Sequence, residues 1–283
     1  MTIKIVLCPI DFSELAEREL GLAVQICEIF QARLVLHHNL SAISPGLSKA
    51  WEWDQSHQHD ERSAADAEQR LAQLMRQLPA TVHAEAAITH GPVAAVVLAL
   101  AEKLPADLLV LGTHGWSSVD HASVTERILE RTPCPVLTIR DVEALHVFRL
   151  RPGPEQAPAR VVVPTDFSPA AARAVSYAIE LARQLPLELH LVHVSPRPGA
   201  DEALETLASL VPPDLQHRAQ YHLRIGQTLE ELDAVVHLVR PGLIVMGTHA
   251  RDFWRRIFTR DVARRILHDA SCPVWFVPPA AAV

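Results

Sequence analysis

The amino-acid sequence predicts an α/β protein made of two tandem doubly wound domains, each a parallel sheet covered by helices on both faces. Three observations predict it. The chain repeats itself, VLCPIDFSELA from Val6 being answered by VVVPTDFSPAA from Val161. Within each copy, short runs of Val, Leu and Ile alternate with longer segments of helical period, the pattern of β–α–β units. The short runs are apolar without alternation, as strands buried on both faces must be.

The repeat fixes the domain organisation. Pro9, Asp11, Phe12 and Ser13 correspond to Pro164, Asp166, Phe167 and Ser168 at an offset of 155, which also carries RLVLHHNL onto ELHLVHVS and His38 onto His193. Further on, LLVLGTHG matches LIVMGTHA at an offset of 135, and RILERTPCPVLTIR matches RILHDASCPVWFVP at 138. The first copy therefore carries 20 extra residues between its second and fourth strands, and is three residues shorter between the GTH turn and its last helix. The reading is a first domain over residues 1–142, a linker over 143–158 and a second domain over 159–283. Pro152, Gly153, Pro154 and Pro158 end one domain without starting the next.

Strands are expected at Ile3–Cys8, Arg33–His38, Val82–Ile88, Leu108–Leu111 and Val136–Ile139, with counterparts in the second copy. Ser13 marks a helix start by its capping hydroxyl, as does Ser168, which is followed by Pro169 in the first turn; Gly91-Pro92 marks another. The prolines of TPCPVL and SCPVWF stop each last helix and lead into the final strand.

Composition narrows the function classes. With 283 residues, 49% apolar and 21% charged, each half can bury its own core. A net charge of −7 argues against a nucleic-acid partner, which needs a basic footprint. The acidity sits in the first half: residues 1–158 hold 13 Lys and Arg against 20 Asp and Glu, whereas 159–283 hold 13 against 13. Lys4, Lys49 and Lys103 are the only lysines, so a G-K-[ST] phosphate loop is absent. The longest apolar run, Val93–Ala101, is too short to span a bilayer, and MTIKIVLCPID meets a proline and an acid too early for a signal peptide. A cytoplasmic protein with no membrane partner is expected. Cys8, Cys27, Cys134 and Cys272 lie apart in apolar surroundings and read as small buried hydrophobes.

In a doubly wound sheet, ligands bind beyond the carboxyl ends of strands where the winding reverses. The first strand ends at CPID and the fourth at GTHG. If these strands adjoin, Asp11 and the Gly112–Gly115 turn converge: the carboxylate can accept from ribose hydroxyls, the glycines admit a phosphate, and Ser123 with Val124 offers amides at a helix start. Asp11 and Asp166 can equally be turn formers feeding the first helix of their copy, the simpler reading for Asp166.

The P-x-D-F-S opening, the V-x-G-T-H-G turn and the C-P-V-L ending, together and in order over nearly the whole chain, resemble the universal stress protein (UspA) family. The resemblance implies two Rossmann-like domains, each a five-stranded parallel sheet, and dimerisation through the last strand. The two copies in one chain would then pair through VLTIR and VWFVP as a pseudo-dimer, with a homodimer the alternative. It also implies ATP, with Mg, bound in the first domain at Pro9, Asp11, Gly112, His114, Gly115, Ser123 and Val124, and no other cofactor. The first copy departs from the family spacing, having six residues between Gly115 and Ala122 where nine are expected, and Ala122 where a glycine is expected. The second keeps Asp166, Gly247 and the nine-residue spacing but carries Ala250, Arg260 and Asp261 in place of Gly, Gly and Ser. A carboxylate at a phosphate-binding helix start repels the ligand, so the second site reads as degenerate.

Other features have plainer readings. Six arginines between residues 251 and 265 form a solvated helix face, the alternative being an anion-binding lip or a docking surface. His57, His59 and Asp60 lack the third convergent ligand of a zinc site. His114 and His249 can contact an anion when protonated. Trp51 and Trp53, in the extra segment, either cap the crevice, bind a partner or fold back onto the domain. No nucleophile–base pair, metal constellation or G-x-S-x-G elbow is visible, so the expectation is a non-catalytic stress-response regulator. The alternative is a scaffold that binds no nucleotide and acts through protein contacts or another ligand.

Overall fold

The P-x-D-F-S turn closes the first strand of each repeat with one geometry. Ser13 and Ser168 are N-caps in extended conformation, their hydroxyls accepting from the amides of Ala16 at 3.3 Å and Ala171 at 3.2 Å. Pro169 occupies the first turn, where its missing N–H costs nothing. Phe12 and Phe167 both take φ 60°, a left-handed conformation that is costly for a bulky side chain. These turns belong to a computed structural model that describes residues 2–40, 52–113, 124–140, 158–195, 201–248, 265–267, 270 and 272–279.

The chain forms two compact units, one of residues 2–112 with 121–134, the other of 113–120 with 135–283. The first contains β1 (Ile5–Pro9), α1 (Glu14–Phe30), β2 (Arg33–Leu40), α2 (Glu52–Gln77), β3 (Ala84–His90), α3 (Val93–Lys103), β4 (Leu108–Gly112) and α4 (Val124–Leu129). Its strands are parallel in the order β3-β2-β1-β4. Helix α1 packs on β1, β2 and β4, while α2 packs on β2 and β3. Gly91, at φ 118°, makes the turn into α3 that a residue with a Cβ would resist.

The second unit contains β5 (Val136–Ile139), β6 (Ala159–Pro164), α5 (Pro169–Gln184), β7 (Leu187–Ser195), α6 (Asp201–Ser209), a 3-10 turn (Pro213–Arg218), β8 (Ala219–Ile225), α7 (Thr228–Val239), β9 (Leu243–Gly247) and β10 (Val274–Val277). Strands β10, β9, β6, β7 and β8 run parallel in that order, repeating the first domain's plan. Strand β5, the last of the first repeat, pairs antiparallel with β10, Leu137 facing Trp275. The final strands of the two repeats thus join as expected, and β5 is counted with the second unit.

All five first-repeat strands and three helix starts fall where the sequence places them, with shifts at the ends. Strand β1 begins at Ile5 rather than Ile3; at its start the Lys4 and Ile5 amides donate to the Asp107 carboxylate at 2.7 and 3.0 Å. Strand β2 runs on to Leu40, paired residue for residue with β3 up to His90. The offset of 155 holds through β2 and β7 and becomes 135 at β3 and β8, so all 20 extra residues lie between the second and third strands. There the first repeat builds the 26-residue α2, where the second has the nine-residue α6 and a six-residue 3-10 turn.

The core is the apolar sheet and its helix contacts, including Leu7, Leu36, Leu109, Leu189, Val245 and Trp275. All four cysteines are buried thiols, and burial pushes Cys27 and Cys272 up to about 12 and Cys134 to about 11.

Candidate functional site

Strand β1 is flanked by β2 on one side and by β4 on the other, in register Val6 with Leu108 and Leu7 with Leu109. The chain leaves β1 toward β2 and returns past it to β4, so the winding reverses between β1 and β4, where a doubly wound sheet opens a crevice. Asp11 follows β1 and Gly112 ends β4, so the two stand at the mouth of this crevice. Asp11 is exposed, and its Oδ1 accepts from the Ser13 amide at 2.9 Å. Asp166 does the same with Ser168 at 2.9 Å, so both acids form the turn into their helix. A carboxylate has about four lone-pair positions, so this role does not preclude ligand binding.

Thr125 of α4 brings its hydroxyl to 3.4 Å from the Gly112 carbonyl, which sets the first turn of α4, with exposed Val124, against the end of β4. Pro9 is the last residue of β1, paired with His37. His114, Gly115 and Ser123 lie outside the described residues, as do Ala250, Arg260, Asp261, His249 and Trp51. The arginine run lies there too, apart from Arg265, and so does the linker before Pro158. Trp53, His57, His59 and Asp60 fall on helix α2.

Three further groups stand around the carboxyl ends of the first repeat's strands. Glu19, on α1, is only 6% exposed; burial first and then the Asp11 charge lift its carboxyl to about 8, against a backbone hydrogen bond from Gly112 that lowers it. Its neutral form is therefore favoured near neutral pH, and it interacts with groups at both strand ends, electrostatically with Asp11 and by a backbone hydrogen bond with Gly112. Its counterpart in the second repeat is Ala174, fully buried. His37, also fully buried, has Nε2 2.7 Å from the Thr89 hydroxyl, which donates to Asn39 Oδ1 at 3.1 Å; Asn39 Nδ2 donates to the Gly91 carbonyl at 2.9 Å. Because the Thr89 proton is committed to Asn39, Nε2 of His37 carries the ring proton, and burial holds the imidazole down at about 4. Arg70 of α2 sets its guanidinium carbon 4.1 Å from the centre of the Phe12 ring.

Glu19 left a trace in the sequence, an acid at a position whose counterpart is alanine. Arg70 left none, since α6, the much shorter helix in the corresponding place of the second repeat, gives no residue-for-residue alignment with α2.

Gly247, at the second repeat's crevice, has a packing role. A Cβ there would lie 2.3 Å from the carbonyl oxygen of Ala170, so this glycine lets β9 lie directly against the start of α5.

The sequence pattern of the Universal stress protein family matches residues 2–140 and 159–278, and the chain belongs to that family. A universal stress protein of Methanocaldococcus jannaschii is 27% identical over 140 residues, 42% of this chain and 81% of the relative. One from Synechocystis is 25% identical over 144 residues, 48% of this chain and 85% of the relative. The crystal structure of a universal stress protein from Archaeoglobus fulgidus superposes with a TM-score of 0.70, covering 99% of this chain and 97% of that one at 16% identity, a likeness of fold. Among the described residues, no helix is long and apolar enough to cross a membrane, and no group of three or more His, Cys, Asp or Glu could hold a metal ion.

Proposed function

We propose that this family member works by binding rather than by turnover: a cytoplasmic stress-response regulator whose first crevice takes ATP or a related nucleotide. The supporting observation is the meeting of exposed Asp11 and Gly112 at adjoining ends of β1 and β4, where the winding reverses. Asp11 accepts from the ribose hydroxyls. The phosphates, with Mg, are assigned to Gly112 and Val124 and, by the sequence motif alone, to His114, Gly115 and Ser123. A ligand so placed sends its base across β1 toward β2. The second crevice is silent, with Ala250, Arg260 and Asp261 in its motif, and the repeats act as a pseudo-dimer through β5 and β10.

Native mass spectrometry of freshly purified protein, followed by Mg-ATP titration of the wild type, Asp11→Ala and Asp166→Ala, tests this. One adenine nucleotide per chain is expected. Asp11→Ala should lose on the order of tenfold to a hundredfold in affinity, the worth of hydrogen bonds to a charged group, while Asp166→Ala should match the wild type. A flat wild-type titration, or no effect of Asp11→Ala, would replace this reading with the scaffold that binds no nucleotide.

A further inference from the structure

Arg70 belongs to the long helix α2, in whose place the second repeat has only α6 and a 3-10 turn, and its placement is specific. Its guanidinium lies over the ring of Phe12, the residue directly after Asp11, so the cation sits above the very turn that presents the crevice carboxylate. Phe12 is itself fixed. Its ring centre is 4.4 Å from that of His38, on β2, and His38 Nδ1 is bonded to the Ile10 carbonyl at 2.7 Å. Phe12, with His38 tilted against its ring and Arg70 over it, therefore stands on the β1–β2 side of Asp11, opposite the Gly112 side. Phe167 and His193 repeat the tilted ring pair at 4.4 Å, without the 26-residue helix that supplies the cation.

The Arg70 guanidinium carbon lies over one face of the Phe12 ring, and Arg70 is an exposed residue, so a ligand in the crevice can approach it from the side away from Phe12. A guanidinium plane stacks on nucleobases as it does on phenyl rings, whereas a lysine ammonium is a point charge with no plane to offer. With phosphates toward Gly112 and ribose at Asp11, the base reaches this side of the crevice.

We infer that Arg70 is a base-stacking residue of the first crevice, sandwiched between Phe12 and the nucleobase of a bound nucleotide. The inference rests on the nucleotide reading above and adds which residue holds the base and by what chemistry. Because every base has a π-face, the contact is made to the plane of the base rather than to its edge.

Calorimetric titration of Mg-ATP into the wild type, Arg70→Ala and Arg70→Lys, with circular dichroism melts confirming that all three fold, tests it. Both variants should lose roughly five- to tenfold in affinity, as expected for one stacked base. Wild-type affinity retained by Arg70→Lys would show that charge alone matters and overturn the stacking assignment. Unchanged affinity in Arg70→Ala would overturn it while leaving the nucleotide reading in place. Absence of ATP binding to the wild type would bring down both.

Discussion

His38 donates from Nδ1 to the carbonyl oxygen of Ile10 at 2.7 Å, and His193 does the same to Thr165 at 2.9 Å. In both repeats the imidazole also carries the phenyl ring that follows the strand-end acid, Phe12 or Phe167, with ring centres 4.4 Å apart. The left-handed φ of these phenylalanines costs of order 1–3 kcal/mol and persists only when its surroundings hold it. The histidine is the ring neighbour common to both repeats that holds it, beside the strand-end acid that accepts from the serine amide. His38→Ala and His193→Ala should therefore each destabilise by about 1–2 kcal/mol, the sum of a hydrogen bond and a ring contact. Urea unfolding of each variant measures this, and a loss in only one repeat would show that the shared turn is not held the same way twice.

Glu19 and His37 give stability two pH dependences of opposite sign. The Glu19 carboxyl rises from an ordinary 4.5 to about 8, so the folded state keeps a proton that the unfolded chain releases. Its contribution is complete below pH 4.5 and is lost as pH rises toward 8, by up to about 1.4 kcal/mol per unit. His37 falls from 6.5 to about 4, so its contribution is complete above pH 6.5 and is lost as pH falls toward 4. Between pH 4.5 and 6.5 the two slopes oppose. Above pH 6.5 Glu19 acts alone. Glu19→Gln should then gain stability over the wild type at pH 8 and lose that gain at pH 4.5, as read from melting temperatures across the range. An equal offset at both pH values would mean that the carboxyl is not held neutral in the folded protein.

Gly247→Ala should be costly although alanine suits a strand end in size. The new Cβ would meet the Ala170 carbonyl oxygen at 2.3 Å and its carbon at 2.5 Å, both backbone atoms at the start of α5. Either β9 or the helix must shift, for a loss of about 1–3 kcal/mol. Ala171→Gly, which thins the helix start without touching Gly247, should not rescue it, because the collision is with main chain. Denaturant melts of the single and double variants settle the point.

How much of this was legible beforehand follows from which residues repeat. The strand-end turn, its serine cap and the paired final strands recur in both repeats, and each obeys a local rule: a hydroxyl cap, helped in the second repeat by a first-turn proline, and an unbroken apolar run. The crevice between β1 and β4 followed from those elements through the winding rule. Glu19, His37, Asn39 and Thr89 escaped because their roles depend on burial and on cross-strand register, which one chain's residue order does not display. Arg70 escaped because helix periodicity states that a face exists and not what stands opposite it. The Asp107 carboxylate that holds the Lys4 and Ile5 amides at the start of β1 lies a hundred residues away, which no local pattern displays.

Trp275 offers the sharpest test of the second unit's core. It lies on β10 between β9 and β5, aligned with Val245 and Leu137, and is fully buried. Its indole Nε1 has no hydrogen-bond partner among the described residues, so this side chain contributes apolar bulk against the cost of a buried donor. Trp275→Ala should cost about 3–5 kcal/mol, since it removes the largest buried side chain of the strand and leaves a cavity. Trp275→Phe removes the unpartnered donor along with part of the ring, two effects of opposite sign, and should cost less than half as much. Chemical denaturation of both variants gives the ratio. Equal losses would mean that the indole N–H is bonded in solution, and its role would then be polar rather than one of packing.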